Sequence, residues 1–209
     1  MKKIILLILI FISIASCNNK SSTSESIIET WWSKKDKELI VSELNRTTNE
    51  VRIEIETLTT DQWNFKEDST RWSIAEIIEH LEIQNLLHYR EISVTSLSPQ
   101  YLDFRKITKN KDSHFTKYST DTIKGKSQWF MKPLGRYSNK TNSENAFFKA
   151  RKELIKFVES TEVDLRKQFT FRVTTNDKKI EKLKIGQVRD LHQLLLTGIA
   201  HTDRHLNQI

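Results

Sequence analysis

The sequence predicts an all-α protein, an antiparallel four-helix bundle with a long crossover between the second and third helices. Three observations support this fold class. The chain of 209 residues holds only four Gly and two Pro, too few for the many tight turns of a sandwich or barrel. Hydrophobic residues (37%) and charged residues (29%) are balanced as in one globular domain. Four segments carry apolar residues at the three- and four-residue steps of an amphipathic helix.

The first two helices are predicted by periodicity and by a capping motif. Apolar residues recur at helical steps over residues 33–58, which predicts helix one. Ser73 and Glu76 stand three residues apart, as in a capping box, and would open a second helix that ends at about residue 97, before Pro99. The apolar face of this second helix is wide, so we expect it to pack on two neighbours.

The crossover covers residues 98–143, which contain both Pro, two of the four Gly and little apolar periodicity. A stretch of this length without regular structure is usually functional or mobile, and short local elements such as a strand at residues 128–130 are left open. We therefore expect residues 98–143 to be the part of the domain least protected from hydrogen exchange.

The last third of the chain predicts two more helices. Helical spacing resumes over 144–160, and a final helix is expected over 186–209. Between them, residues 169–174 alternate in polarity and are rich in β-forming residues, which indicates a short extended segment or a hairpin with 180–185. The compact domain would then cover residues 33–209.

The amino terminus predicts export. Residues 1–16 contain two lysines, an apolar run too short for the ~20 residues of a membrane span, and small residues directly before Cys17. Residues 14–17 resemble the lipobox of bacterial lipoproteins, which implies that Cys17 is acylated and becomes the mature N-terminus. Residues 17–32 would then be the lipidated Cys and a flexible tether. An ordinary signal peptide followed by a free thiol is the alternative.

Charge and localisation restrict the partners. The net charge is +7, but basic residues alternate with acidic ones, as in residues 34–38, which predicts solvated helix faces and no nucleic-acid partner. An exported lipoprotein would be anchored to a membrane, at the outer membrane, its periplasmic face or the cell surface. The expected partners are this membrane, through the N-terminal lipid, and an unknown small-molecule substrate or ligand. A homodimer is left open.

The histidines are the candidate metal ligands, because a single Cys excludes Cys-rich metal sites. His201 and His205 stand at i and i+4, so their side chains share one helix face and could chelate one ion. Position 202 is Thr, where a zincin motif has Glu. His80 lies within the apolar face of helix two, where an imidazole needs a partner, either a metal or a neighbouring polar group.

The other three histidines are predicted to lie outside this site. His88 is two turns beyond His80, about 12 Å along the helix, and is interpreted as structural. His114 and His192 are expected at the surface.

Two stretches, Trp72–Leu81 and His201–Ile209, resemble the signature motifs of the DinB/YfiT-like superfamily, in its DinB_2 branch. The resemblance implies a four-helix bundle over roughly residues 33–209 and a divalent metal held by His80, His201 and His205. It implies activities similar to those of the family, which are thiol transfer, thiol-dependent isomerisation and metal-dependent hydrolysis.

Two functional classes follow. The first is a metal-dependent hydrolase or transferase in which three His hold one divalent ion, Zn or Ni, and leave a position for water. Glu76, one turn before His80, is the candidate catalytic proton carrier, with a capping role alone as the alternative. The second class is a non-catalytic lipoprotein that binds a ligand or partner, with a structural metal or none.

Overall fold

The computed structural model describes residues 29–117, 127–171 and 184–209, and it confirms a four-helix bundle with a long crossover between the second and third long helices. The long helices are α1 (Lys34–Glu56), α3 (Ile74–Thr95), α6 (Lys140–Ser160) and α7 (Leu191–Leu206). The short elements are α2 (Thr60–Asn64), α4 (Arg105–Thr108), α5 (Ser113–Thr116), two 3-10 turns (Leu102–Phe104 and Trp129–Met131), and strands β1 (Phe169–Phe171) and β2 (Val188–Asp190).

Side-chain caps set the beginnings of the long helices, as the sequence predicts for the second of them. The Ser73 hydroxyl accepts from the Glu76 backbone N–H, and the Glu76 carboxylate accepts from the Ser73 N–H at 2.8 Å, so the capping box is confirmed. A similar pair, Ser33 and Asp36, begins α1. These caps satisfy N–H groups that the first turn of a helix leaves without partners.

Two neighbouring pairs of long helices are antiparallel. The Lys37 ammonium at the start of α1 donates to the Thr161 carbonyl after α6, at 2.9 Å, and α1 ends where Lys140 begins α6. In the pair α3 and α7, His80 near the start of α3 lies beside His201 near the end of α7.

The other two neighbouring pairs run in the same direction. Trp32, just before α1, bonds His192 at the start of α7, and Arg46 further along α1 bonds Asp203 near the end of α7. In α3 and α6, Phe147 packs in one cluster with Ile78, and the Tyr89 and Phe157 rings lie 6.1 Å apart two to three turns later. We call the end of the bundle with Trp32 and His192 the proximal end, and the end with His80 and His205 the distal end.

Two hydrophobic clusters fill the bundle, one near each end. The proximal cluster contains Leu44, Ile92, Leu154 and Leu194, and the distal cluster contains Val51, Ile55, Ile78, Leu81 and Phe147. All of these residues are buried, and they occupy the apolar positions from which the helices were predicted. No described helix combines the length and the apolar character that crossing a bilayer requires.

The described parts of the crossover over residues 98–143 contain short local elements, although a 3-10 turn stands where the sequence leaves a strand at residues 128–130 open. At the proximal end, Phe104, Thr108 and Phe115 are buried within short helices. At the distal end, residues 127–137 pack against the start of α3, with a 3-10 turn at Trp129–Met131. Residues 118–126 lie outside the described residues. Isolated apolar residues in short helices have no periodicity that a sequence pattern could show.

The extended segment predicted at residues 169–174 is a strand in its described part. β1 pairs in antiparallel register with β2, with Phe169 opposite Asp190 and Phe171 opposite Val188, so the short extended segment is confirmed. Residues 172–174, which the alternative hairpin would pair with 180–185, lie outside the described residues. Of that predicted partner, residues 180–183 lie outside the described residues. The last helix begins at Leu191, not at 186, because Asp190 caps it and pairs with Gln193 in a capping box.

The last residues assigned to the tether contact the bundle. Trp32 is buried, and its indole N–H donates to His192 Nδ1 at 3.2 Å. The Trp31 backbone N–H donates to Asp164 at 2.6 Å. The part of residues 17–32 that could act as a tether is therefore confined to residues 17–28, which lie outside the described residues.

Gly198 provides a test of how closely α3 and α7 pack. A Cβ at this position would lie 2.8 Å from His88 Nδ1 and 3.1 Å from His88 Cε1. Ala stabilises a helix by about 1 kcal/mol relative to Gly, but overpacking a side chain costs about 1–3 kcal/mol. We therefore expect Gly198→Ala to lower the free energy of unfolding. Urea denaturation measures the change.

A second variant serves as the control. Adding His88→Ala removes the atoms that the new methyl would contact, so the double variant should lose less stability than the two single losses together. A Gly198→Ala protein that is more stable than the parent would contradict the close packing.

Candidate metal centre

Three histidine side chains meet at the distal end of the bundle. His80 lies in the second turn of α3, and His201 and His205 lie one turn apart near the end of α7. The Nε2 atom of His201 is 3.0 Å from Nε2 of His80 and 3.0 Å from Nε2 of His205. The structure thus brings together the three residues that the sequence and the resemblance indicated.

The outward nitrogens of two of these rings are bonded to oxygen acceptors. His80 Nδ1 lies 2.6 Å from the Met131 carbonyl oxygen, and His205 Nδ1 lies 2.8 Å from the Gln208 side-chain oxygen. An oxygen acceptor requires that Nδ1 carry the proton in a neutral ring, so each Nε2 is left with a lone pair that points at His201. A proton on His201 Nε2 could satisfy only one of these two lone pairs.

A divalent cation fits this donor set. Three neutral imidazoles that direct Nε2 lone pairs at one point are a ligand set for Zn²⁺ or a similar ion, with the Nδ1–H groups held by acceptors. Zn–N bonds of about 2.0–2.1 Å in a tetrahedral site place ligand nitrogens about 3.3 Å apart. The 3.0 Å separations here would need only a small outward movement of the rings to reach that spacing.

Burial keeps these rings neutral. It lowers the pKa of all three, to about 2 for His201, where the neighbouring rings add to the effect, and to about 4 for His205. The deprotonated ring is the form that binds a metal, so the pKa shifts favour ligation at neutral pH.

Trp72 forms one wall of the centre. Its ring centroid lies 4.8 Å from that of His80 and 6.3 Å from that of His205, with the Trp72 and His205 planes nearly parallel. Trp72 directly precedes the cap of α3, so the capping box also positions this indole. The wall restricts ring rotation and lowers the polarity around the nitrogen atoms.

Glu76, the candidate proton carrier, is engaged elsewhere. One carboxylate oxygen accepts from the Ser73 N–H at 2.8 Å, and the other accepts from the Lys66 ammonium at 2.9 Å. Burial acts to raise the pKa of Glu76, but these two bonds lower it overall. The structure gives Glu76 the capping role that was the alternative, and its catalytic role stays a prediction.

Glu79 is a residue of this region that the sequence interpretation missed. Its buried carboxylate accepts the backbone N–H groups of Leu134 and Gly135, both at 2.9 Å, and the Arg136 Nε–H at 2.9 Å. It therefore holds the returning crossover beside His80, where the Met131 carbonyl bonds the ring. The contact joins residues 55 positions apart or more, so no local pattern could reveal it.

The remaining histidines lie outside the cluster, but the predicted surface position of His192 is wrong. His192 is only 1% exposed, because Trp32 and the segment around Asp112 cover the start of α7. His88 is buried, as a structural role would require, and His114 is partly exposed.

Comparisons with known proteins agree with this fold. A family model described as the DinB superfamily matches residues 43–209. Among solved structures, the chain is similar to YfiT from Bacillus subtilis, described as a probable metal-dependent hydrolase with an unusual four-helix bundle topology. The two share 13% sequence identity over 85% of each chain, with a TM-score of 0.57, which shows likeness of fold. No curated protein sequence matches this chain.

Metal binding should resist acidification. A free imidazole is half protonated near a pKa of about 6.5, whereas burial keeps His205 neutral until about pH 4. Protons compete for the ligating nitrogens only below the lowered pKa values, so binding is retained at neutral pH and lost as the pH falls, with a midpoint below about 6. Bound metal measured after equilibration across this range tests the expectation, and complete release already at pH 6.5 would contradict it.

Gln208 should act on the metal through His205. Replacing it by Ala removes the acceptor for His205 Nδ1–H, and the loss of such an outer hydrogen bond typically weakens metal binding by about 10-fold or more. Gln208→Glu keeps an acceptor oxygen and should restore most of the affinity. Competition with a chromogenic chelator measures both variants. Equal affinity in Gln208→Ala and the parent would show that the bond does not position the ring.

Proposed function

The chain belongs to the DinB superfamily, and from this membership we propose that it is a metal-dependent hydrolase whose centre is one divalent ion held by His80, His201 and His205. The observation that carries the proposal is that the Nε2 atoms of the three rings converge. In His80 and His205 the Nδ1 atom bonds an oxygen acceptor, so each Nε2 keeps a lone pair that a metal could accept.

The ligand set favours a catalytic over a closed structural site. Among residues 29–117, 127–171 and 184–209, the cluster contains three His and no fourth His, Cys, Asp or Glu. Catalytic zinc sites commonly have three protein ligands and leave the fourth position to water or substrate. Zn²⁺ or Ni²⁺ bound there would supply activation of water for attack on a polarised bond.

The chain's own residues would orient and shield this centre. The Met131 carbonyl and the Gln208 side chain fix the His80 and His205 rings through their Nδ1–H groups. Trp72 covers one side of the rings and keeps water from it. The crossover near Met131 adds the exposed Trp129 and Phe130 beside the site, which suits a substrate with an apolar part.

Among the activities of this family, we favour hydrolysis over thiol transfer for this protein. We also propose that the protein is exported, and low-molecular-weight thiols are not expected in quantity outside the cytoplasm. The described activity of YfiT, a probable metal-dependent hydrolase, is in keeping with this preference.

A non-catalytic lipoprotein with a structural metal is the alternative, and one observation favours it. The three carboxylates nearest to His80 in sequence, Glu76, Glu79 and Glu82, are all engaged in hydrogen bonds and ion pairs. A hydrolase would then need a proton carrier from the substrate or from a rearranged Glu76. Metal binding without turnover would support this alternative.

For the N-terminus we propose a lipoprotein signal, with residues 1–16 removed and Cys17 acylated. The support is the order of two lysines, an apolar run and small residues before the chain's single Cys. Residues 1–28 lie outside the described residues. A single acyl chain binds a membrane only marginally, so the two or three chains of a lipoprotein would be needed for a durable anchor.

Each of the changes His80→Ala, His201→Ala and His205→Ala should remove most of the bound metal, because two imidazoles hold a divalent ion far more weakly than three. Elemental analysis of the purified proteins measures the metal content and identifies the ion. His114→Ala is the control, since His114 is partly exposed and outside the cluster. A triple variant that keeps one metal per chain would refute the ligand assignment.

The same proteins test catalysis. The metal-loaded parent should hydrolyse at least one member of an ester, amide and phosphoester panel, and chelation or His201→Ala should abolish the turnover. Stoichiometric metal with no turnover on the panel would favour the non-catalytic alternative.

Replacing Cys17 by Ser should release the protein from the membrane fraction, because the acceptor of the acyl chains is lost. Mass spectrometry of the N-terminal peptide should show acyl additions on Cys17 in the parent only. Membrane association that persists in Cys17→Ser would contradict the anchor.

A further inference from the structure

We propose that the proximal end of the bundle is a membrane-contacting face, at which Leu97, Tyr101 and Leu102 lie against an anionic bilayer. The histidine centre, at the distal end, would face away from the lipid. This inference rests on the proposed acylation of Cys17, but it concerns the orientation of the folded domain.

The chain joins the bundle at the proximal end. The Trp31 N–H donates to Asp164 at 2.6 Å, and the Lys167 ammonium bonds the Glu29 carbonyl. The Arg105 guanidinium lies 5.2 Å from the Trp31 ring centroid. Residues 29–32 are thus fixed between the loop after α6 and the crossover, and any anchor at Cys17 pulls on this end.

The length of the intervening chain limits the distance to the bilayer. The residues from Cys17 to Ile28 number 12, and a chain of 12 residues spans at most about 40 Å when fully extended. Along α7, His192 and His205 are about 20 Å apart. The anchor can therefore bring the proximal end to the lipid with less extension of residues 17–28 than the distal end would need.

Exposed apolar side chains lie around this attachment point. Leu97 is 87% exposed, and Tyr101 and Leu102 are about half exposed. The Tyr101 ring contacts that of Phe104, which is buried with Phe169 and Val188, so the exposed group stands on a packed base. Clustered exposed apolar residues with a Tyr among them are typical of contact with a membrane interface.

The charge of the same segment suits an anionic surface. Residues 97–117 contain five basic and two acidic residues. Both acids are paired, Asp103 with Lys106 and Asp112 with Arg166, each at 2.8 Å. The Asp103–Lys106 pair is neutral, and the exposed lysines at 109 and 111 supply net positive charge in the same segment. Basic residues near a membrane are attracted to anionic lipids.

The distal end offers the competing orientation. Leu134 is 76% exposed there, near the exposed Trp129 and Phe130. Contact through these residues would turn the histidine centre toward the bilayer. The two orientations place Leu97 and Leu134 in opposite environments, which makes the pair a matched test.

The test uses the acylated full-length protein in vesicles of phosphatidylethanolamine and phosphatidylglycerol. Acylation consumes the thiol of the chain's single Cys, so in Leu97→Cys and Leu134→Cys the introduced thiol is the one that a polarity-sensitive fluorophore labels. We expect the fluorescence emission of the label at 97 to shift to shorter wavelength, to be quenched by spin-labelled lipid and to be protected from iodide. The label at 134 should be quenched by iodide and not by the lipid.

Three results would overturn the inference. Stronger lipid quenching at 134 than at 97 would reverse the orientation, and equal iodide quenching at both positions would show that neither end lies on the bilayer. Labelling of the unsubstituted protein would reveal a free Cys17 thiol. That result would reject the anchor itself, and with it this orientation, while leaving the metal centre untouched.

Discussion

The parallel course of α3 and α6 sets the path of the chain between the two ends of the bundle. Neighbouring helices that run in the same direction cannot be joined by a short loop, because the chain must first return along the length of the bundle. For the 22 residues of α3 this length is about 33 Å. The crossover therefore has to connect the two ends of the bundle, and its described parts pack at both.

The returning crossover completes the histidine centre. The buried Glu79 carboxylate holds residues 134–136 through hydrogen bonds. Burial acts to raise the pKa of Glu79, but the N–H groups of this segment and the Arg136 guanidinium lower it overall. The same segment brings the Met131 carbonyl to His80. His80, one of the three proposed ligands, is thus oriented by a backbone oxygen of the crossover. Under the proposal, metal affinity and crossover packing should be coupled.

The two ends of the bundle bury polar groups in different ways. The distal end buries three neutral imidazoles, whose lone pairs suit a cation, together with the Glu79 carboxylate, which forms an ion pair with Arg136. The proximal end buries ion pairs. Arg166 bonds Asp36 and Asp112 and lies 3.6 Å from Asp190, and burial raises the pKa of Asp190 to about 7. Buried ion pairs of this kind add less to stability than to a unique arrangement of the elements they join.

The four long helices, the α3 capping box and the His201–His205 pair could all be predicted from the sequence, because each depends on contacts within about four residues. The start of α7 had an equally local signal, the Asp190–Gln193 capping box, which was missed. The helix directions, the β1–β2 pairing, the burial of His192 and the contact of Glu79 with residues 134–136 became visible in the folded chain alone. These features join segments far apart in the chain, and their free energy comes from burial and long-range hydrogen bonds that no local pattern records.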